Sequence, residues 1–96
     1  MDKVKIGAQV FSIRRQGELK NTDGIAELVG RIIYSSSVIL LEDRLDTFST
    51  REVLWHEVIH GILTHAGIRG EDEKLVDILS YGIIQVLEDN KEIRSL

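Results

Sequence analysis

The chain has 96 residues and a net charge of -4, enough for one small core that buries a smaller share of its surface than a larger domain would. It has no cysteine, which excludes disulfides and thiolate zinc sites and leaves three histidines and the acidic residues as the only source of a transition-metal site. The acidic balance offers no broad basic surface for a phosphate backbone, with Arg14-Arg15 as the only basic doublet, so nucleic-acid binding is disfavoured.

The N-terminus "MDKVKIGAQVFSI" lacks a basic segment followed by an apolar stretch and a small-residue cleavage site. No apolar run approaches the ~18 residues of a membrane span. The expectation is a soluble cytoplasmic protein forming a single domain over residues 1–96, without repeats or low-complexity stretches. In "KVKIGAQVFSI" the positions Val4, Ile6, Ala8 and Val10 alternate and the pattern breaks step at Phe11, which predicts a half-buried strand ending near Arg14. "RRQGELKNTDG" reads as a loop. Beyond Ala26, "ELVGRIIYSS" and "SVILLED" read as two strands joined by a tight turn at Ser35, Ser36 and Ser37.

"DRLDTF" is a short connection, and "STRE" has the form of a capping box in which Ser49 and Glu52 satisfy each other's amides, so a helix is predicted from Thr50. It should run to His65 or Ala66 and stop at Gly67, which can take the left-handed conformation past a helix end. A second helix is predicted from about Glu71, where "EDE" places negative charge on the positive end of the helix dipole, to Asn90. The fold class expected is α+β: a small twisted antiparallel or mixed sheet of about three strands packed on two helices.

The stretch "LWHEVIHGIL" carries the chemistry. At 100° per residue, Trp55, Val58, Ile59, Ile62 and Ala66 form one apolar face of the first helix, with His56 and His60 together along its edge. A spacing of four puts both imidazoles one turn apart on the same side, within reach of a single ion. Glu57 lies about 100° round, beside the ion rather than aimed at it, where a carboxylate can take a proton from water. His-Glu-x-x-His on a helix is a known metallopeptidase signature with this division of roles.

A catalytic zinc needs a third protein ligand, for which His65, Glu71, Glu73 and Asp77 are candidates. His65 lies nine residues after His56 and half a turn out of phase, and position 66, where a metzincin extension would need histidine, is alanine. His65 therefore reads as a structural or rim residue. On the second helix Val76, Leu79, Ile83 and Leu87 define the expected core face, and Glu73 stands one turn before Val76 on its flank. Packed antiparallel across "GIRG", this helix would bring Glu73 to the metal. Asp77, four residues later on the same side, would then accept the second ring N–H of one histidine and fix its tautomer.

"HEVIH" followed by "EKLVD" resembles the gluzincin arrangement of thermolysin-like peptidases. More narrowly, residues 26 to 90 are similar to the small zincin-like proteins of phages and prophages related to the ImmA/IrrE metallopeptidases. In that family a glutamate is followed by apolar positions three, six and seven residues later, matched here by Glu73, Val76 and Leu79, with Ser80 as a small polar departure. The resemblance implies Zn2+ between two helices and hydrolysis of a peptide bond in a protein partner such as a phage or host regulator. It further implies Glu57 as general base and an edge strand pairing with extended substrate. Tyr34, Tyr81 and His65 are the candidate oxyanion donors. The competing expectation is a non-catalytic zincin-like module that binds a protein and uses zinc structurally.

Overall fold

The computed structural model describes residues 1–19, 29–70 and 72–96. Four strands, β1 (Lys3–Ile6), β2 (Gln9–Gln16), β3 (Gly30–Ile33) and β4 (Val38–Glu42), precede two helices, α1 (Thr47–His65) and α2 (Glu73–Asp89), and a closing 3-10 turn over Lys91–Ser95. The architecture is α+β, as expected, with a mixed sheet in the order β1-β2-β4-β3. The β2–β4 pair is parallel and the other two pairs are antiparallel.

The first segment departs from the single strand predicted. The chain reverses at Gly7, whose φ of +60 is the conformation a tight hairpin turn needs, and Ile6 pairs with Gln9. The break of alternation at Phe11 is the trace of this turn: Val4 and Ile6 face inward in β1, and after the reversal Phe11 and Ile13 face inward in β2. The β3–β4 hairpin forms at the serine cluster as predicted. The Ser37 amide donates to the Tyr34 carbonyl at 3.3 Å, and Ser37 takes a φ of +54. The part of the predicted loop and strand that falls on residues 20–28 lies outside the described residues.

Phe11, Ile39 and Leu41 on the sheet close the core with Ile6, Val53 and Val58. The Phe11 ring meets Tyr34 edge-on at 6.0 Å. Arg15 serves this framework: its guanidinium donates to the Leu45 carbonyl and the Thr50 hydroxyl, tying β2 to the start of α1.

Helix α1 starts three residues before the predicted Thr50. The cap is Asp46, whose carboxylate accepts from the Ser49 amide at 2.7 Å, and Ser49 sits inside the first turn. An aspartate in extended backbone one turn upstream pre-empts the Ser49–Glu52 box, which leaves Glu52 for another role. The end at His65, with Ala66 as cap and Gly67 at φ +82, is as predicted. Helix α2 begins at Glu73 behind Asp72, which accepts from the Lys74 and Leu75 amides. The predicted start at Glu71 lies outside the described residues.

The sheet covers one side of α1 and α2 another, so α1 is buried over more than the single apolar face expected. The row Val53, Glu57, Gly61 faces β3 and the sheet. A Cβ on Gly61 would stand 2.8 Å from the Ile6 Cδ1, so the missing side chain sets how closely helix and sheet approach. Val58 and Ile59 are buried and Trp55 is half-buried, but Ile62 and Ala66 are exposed. Among the described residues α2 packs on α1 and not on the sheet. It does so through Val76, Ser80 and Ile84; of the predicted Val76–Leu79–Ile83–Leu87 stripe, Val76 is buried and Ile83 and Leu87 are half-buried, while Leu79 is exposed. The wholly buried Ser80 hydroxyl donates to the Val76 carbonyl at 2.8 Å and so costs nothing unsatisfied at this contact. No helix among the described residues is long and apolar enough to cross a membrane.

Candidate metal centre

Three donor-bearing side chains converge where α1 and α2 cross. Antiparallel packing across the short link brings the first turn of α2 level with the middle of α1, and an Arg51–Glu88 ion pair holds the far ends together. The Glu73 carboxylate stands 2.9 Å from His56 Nε2 through one oxygen and 2.9 Å from His60 Nε2 through the other. The two Nε2 atoms are 3.1 Å apart. Asp77, one turn after Glu73, lies 2.7 Å from His56 Nδ1. The histidines are largely covered, whereas the Glu73 side chain is 69% exposed and so accessible from solvent.

The protonation logic follows from these distances. When ionised, Asp77 accepts from His56 Nδ1, and in the neutral imidazole this leaves the lone pair on His56 Nε2. That lone pair points at the Glu73 carboxylate, an acceptor, and at the second imidazole nitrogen. Such a cluster needs a positive charge among its members, either a proton on an imidazole or a metal ion. Donor atoms on a tetrahedron with metal bonds of ~2.1 Å are roughly 3.4 Å apart, a few tenths of an ångström wider than the separations here, so small side-chain rotations accommodate zinc. The chemistry of the set, two imidazoles and a carboxylate with no thiolate, fits a zinc site with an open fourth position.

Glu57 is buried against β3, where Gly30 makes room for it: a Cβ at Gly30 would meet the Glu57 Oε2 at 3.5 Å and the Val53 Cγ1 at 2.4 Å. Burial pushes the Glu57 carboxyl above the usual range, opposed by the nearby His56 and His60 and by the hydrogen bond it accepts from the Ile32 amide. A carboxylate raised in this way is a stronger base than one in water.

These groups line a cleft of about 670 Å³ between β3 and the helix pair. One wall is the outer edge of β3. Because Glu42 N–H donates to the Val29 carbonyl, alternation along the antiparallel ladder turns the backbone groups of Gly30 and Ile32 away from β4 and toward the cleft.

Every residue proposed for the site from sequence, His56, Glu57, His60, Glu73 and Asp77, lines this cleft. His65 does not: its Nε2 pairs with Gln9 Oε1 at 3.0 Å at the far end of α1, as a rim residue. Of the three candidate oxyanion donors only Tyr34 reaches the cleft, where its hydroxyl donates to Thr64 at 3.0 Å, while Tyr81 stacks on Phe48.

Two cleft residues escaped the sequence reading. Gly30 had a signal, since an isolated glycine in a strand pattern marks a close approach. Glu52, one turn before His56, groups with His56 and Asp77 as a second set of donor atoms. Its carboxyl is raised by burial and by the charge of Asp77. That set would have to use the His56 Nδ1 already engaged by Asp77, so the His56–His60–Glu73 set is the better metal site. Comparison with protein-family models, with curated proteins and with solved structures finds no match to this chain.

Proposed function

We propose that this chain is a zinc-dependent peptidase of the zincin type, akin to the small phage and prophage zincin-like proteins, and that it cuts an extended segment of a protein partner. The observation that carries the reading is the convergence of His56, His60 and Glu73 beside a buried Glu57 in an open cleft. A structural zinc has no use for a carboxylate held in that position, and this favours hydrolysis over the non-catalytic module.

His56, His60 and Glu73 would hold the ion, and zinc when bound supplies a Lewis acid that polarises the scissile carbonyl and acidifies water. Asp77 holds His56 with Nε2 facing the site. Glu57 takes the proton of the attacking water and passes it to the departing amine, so bond cleavage leaves a carboxylate and a free amine with no other reagent. The Gly30 backbone groups and the Ile32 carbonyl, turned toward the cleft, align an extended peptide along β3. The Tyr34 hydroxyl, exchanging Thr64 for substrate, donates to the oxygen that gains charge as the carbonyl is attacked.

The test is zinc-loaded protein incubated with a mixture of unstructured peptides, with products read by mass spectrometry, for the wild type and Glu57→Gln. The expected result is cleavage by the wild type only, with about one zinc per chain in both. Equal cleavage by both, or zinc-loaded wild type that cuts nothing, would sink the peptidase reading.

A further inference from the structure

We propose that the outer face of α2 is a self-association surface, on which a second copy of this chain packs its own α2 antiparallel across Gly82. This inference is independent of the metal chemistry. Helix α2 is apolar on two opposite sides. One side, with Val76, Ser80 and Ile84, is spent on α1. The other carries Leu75, Ile78, Leu79 and Val86, which are between 39% and 58% exposed, and the closing turn adds Ile93 at 43%. Ile78, Leu79, Val86 and Ile93 line, with Gly82, a groove walled almost wholly by apolar atoms, and Leu75 extends the face beyond it. Apolar residues on a helix side seek cover from water, and among the described residues only α1 and the closing turn pack on α2.

Size, shape and charge point to a second copy. The exposed apolar surface is on the order of 400 Å². With the flanking Lys74, Gln85 and Asp89, the footprint approaches the ~800 Å² per partner of a standard interface, about a tenth of the surface of a small protein. The whole chain exposes 6674 Å².

Gly82 sits at the centre of the face, and a Cβ there would touch nothing within 4 Å. Nothing within the chain offsets its cost of ~0.5–1 kcal/mol in a helix interior. A helix crossing at this point can approach closely. A two-fold axis through Gly82 makes the surface self-complementary, as a symmetric dimer requires. It sets Ile78 against Val86 of the second copy and brings Lys74 near Asp89 of the second copy at both ends. A lipid surface fits less well, because Asp72 and Asp89 flank the apolar residues at the two ends of the helix.

The experiment is sedimentation velocity over a range of concentrations. The wild type is expected at twice its 10.9 kDa chain mass, and Ile78→Glu and Gly82→Leu, each with unchanged circular dichroism, should weaken association by at least about tenfold. Lys74→Glu alone should weaken the dimer, and adding Asp89→Lys should restore it. Both changes suit the dipole of the isolated helix, so the loss in the single variant cannot come from a weakened monomer. A wild type that sediments as a single chain at every concentration overturns the proposal, as does a dimer indifferent to Ile78→Glu. A monomer that floats with vesicles of neutral lipid would also overturn it and give the face to lipid. Failure of the charge reversal to restore association overturns the antiparallel register.

Discussion

Asp77→Ala tests how the second helix prepares the metal site. Asp77 is 2.7 Å from His56 Nδ1 and its side chain is 54% exposed. Loss of such an outer partner typically weakens metal binding by ~10–100-fold, because the ligand's tautomer and ring orientation are no longer fixed. Half-exposure lets water replace part of the lost acceptor, so we expect the lower part of that range, roughly 10–30-fold or ~1.4–2 kcal/mol. Without metal the pair is an exposed one worth at most ~1 kcal/mol. The variant should therefore melt close to the wild type when metal-free, while the rise in Tm produced by saturating zinc shrinks by about 6 °C or more. Asp77→Asn keeps a neutral acceptor and should fall between the two. The assays are zinc competition against a chromophoric chelator and thermal melts with and without zinc. Wild-type zinc affinity in Asp77→Ala would refute the positioning argument, and a large fall in the metal-free Tm would make Asp77 a residue of the fold.

Other expectations test separate parts of the structure. Gly30→Ala drives a methyl group against the stiff Val53 side chain, so we expect a loss of about 1–3 kcal/mol in unfolding free energy by urea titration. Peptide cleavage by the folded fraction should also fall, because Glu57 shares that contact. Asp46→Ala should lower Tm, whereas Glu52→Ala should leave the start of α1 intact by circular dichroism. The reverse result would reinstate the Ser49–Glu52 box. Glu42 is held below its ordinary range first by the hydrogen bond from Arg44, and Asp46 by the Ser49 amide. Since the folded values are depressed, their stabilisation is complete above the ordinary carboxylate range and is lost as pH falls through the folded values. Acid melts should show this loss, and Arg44→Ala should flatten it. Tyr34→Phe should lower kcat by about 10²–10³ with zinc content unchanged.

The cluster of donor side chains was legible in the sequence because it depends on helical spacing. A spacing of four from His56 to His60, and again from Glu73 to Asp77, fixes which side chains share a side of a helix whatever surrounds it. The end of α1 at Gly67 and the serine turn between β3 and β4 were readable for a similar reason: each rests on a few neighbouring residues. The hairpin at Gly7 was present only as a break in alternation, since Gly7-Ala8 does not carry the strongest turn signals and the strand pattern runs across it.

Burial was decided in three dimensions. Which flank of α2 meets α1 depends on where the sheet places α1, and α2 has apolar residues on two sides, so periodicity favoured Leu79 where the structure buries Ser80 and Ile84. The start of α1 was a competition between two adequate caps, which Asp46, one turn upstream, wins by accepting from the Ser49 amide. Gly30 and Glu52 became part of the cleft when β3, distant in sequence, was laid along the motif helix. The sequence by itself determined the donor atoms and their spacing, because a helix repeats every 3.6 residues. The tertiary structure decided the depth of Glu57, the wall it leans on and the face left open, because these depend on contacts between segments that no local pattern encodes.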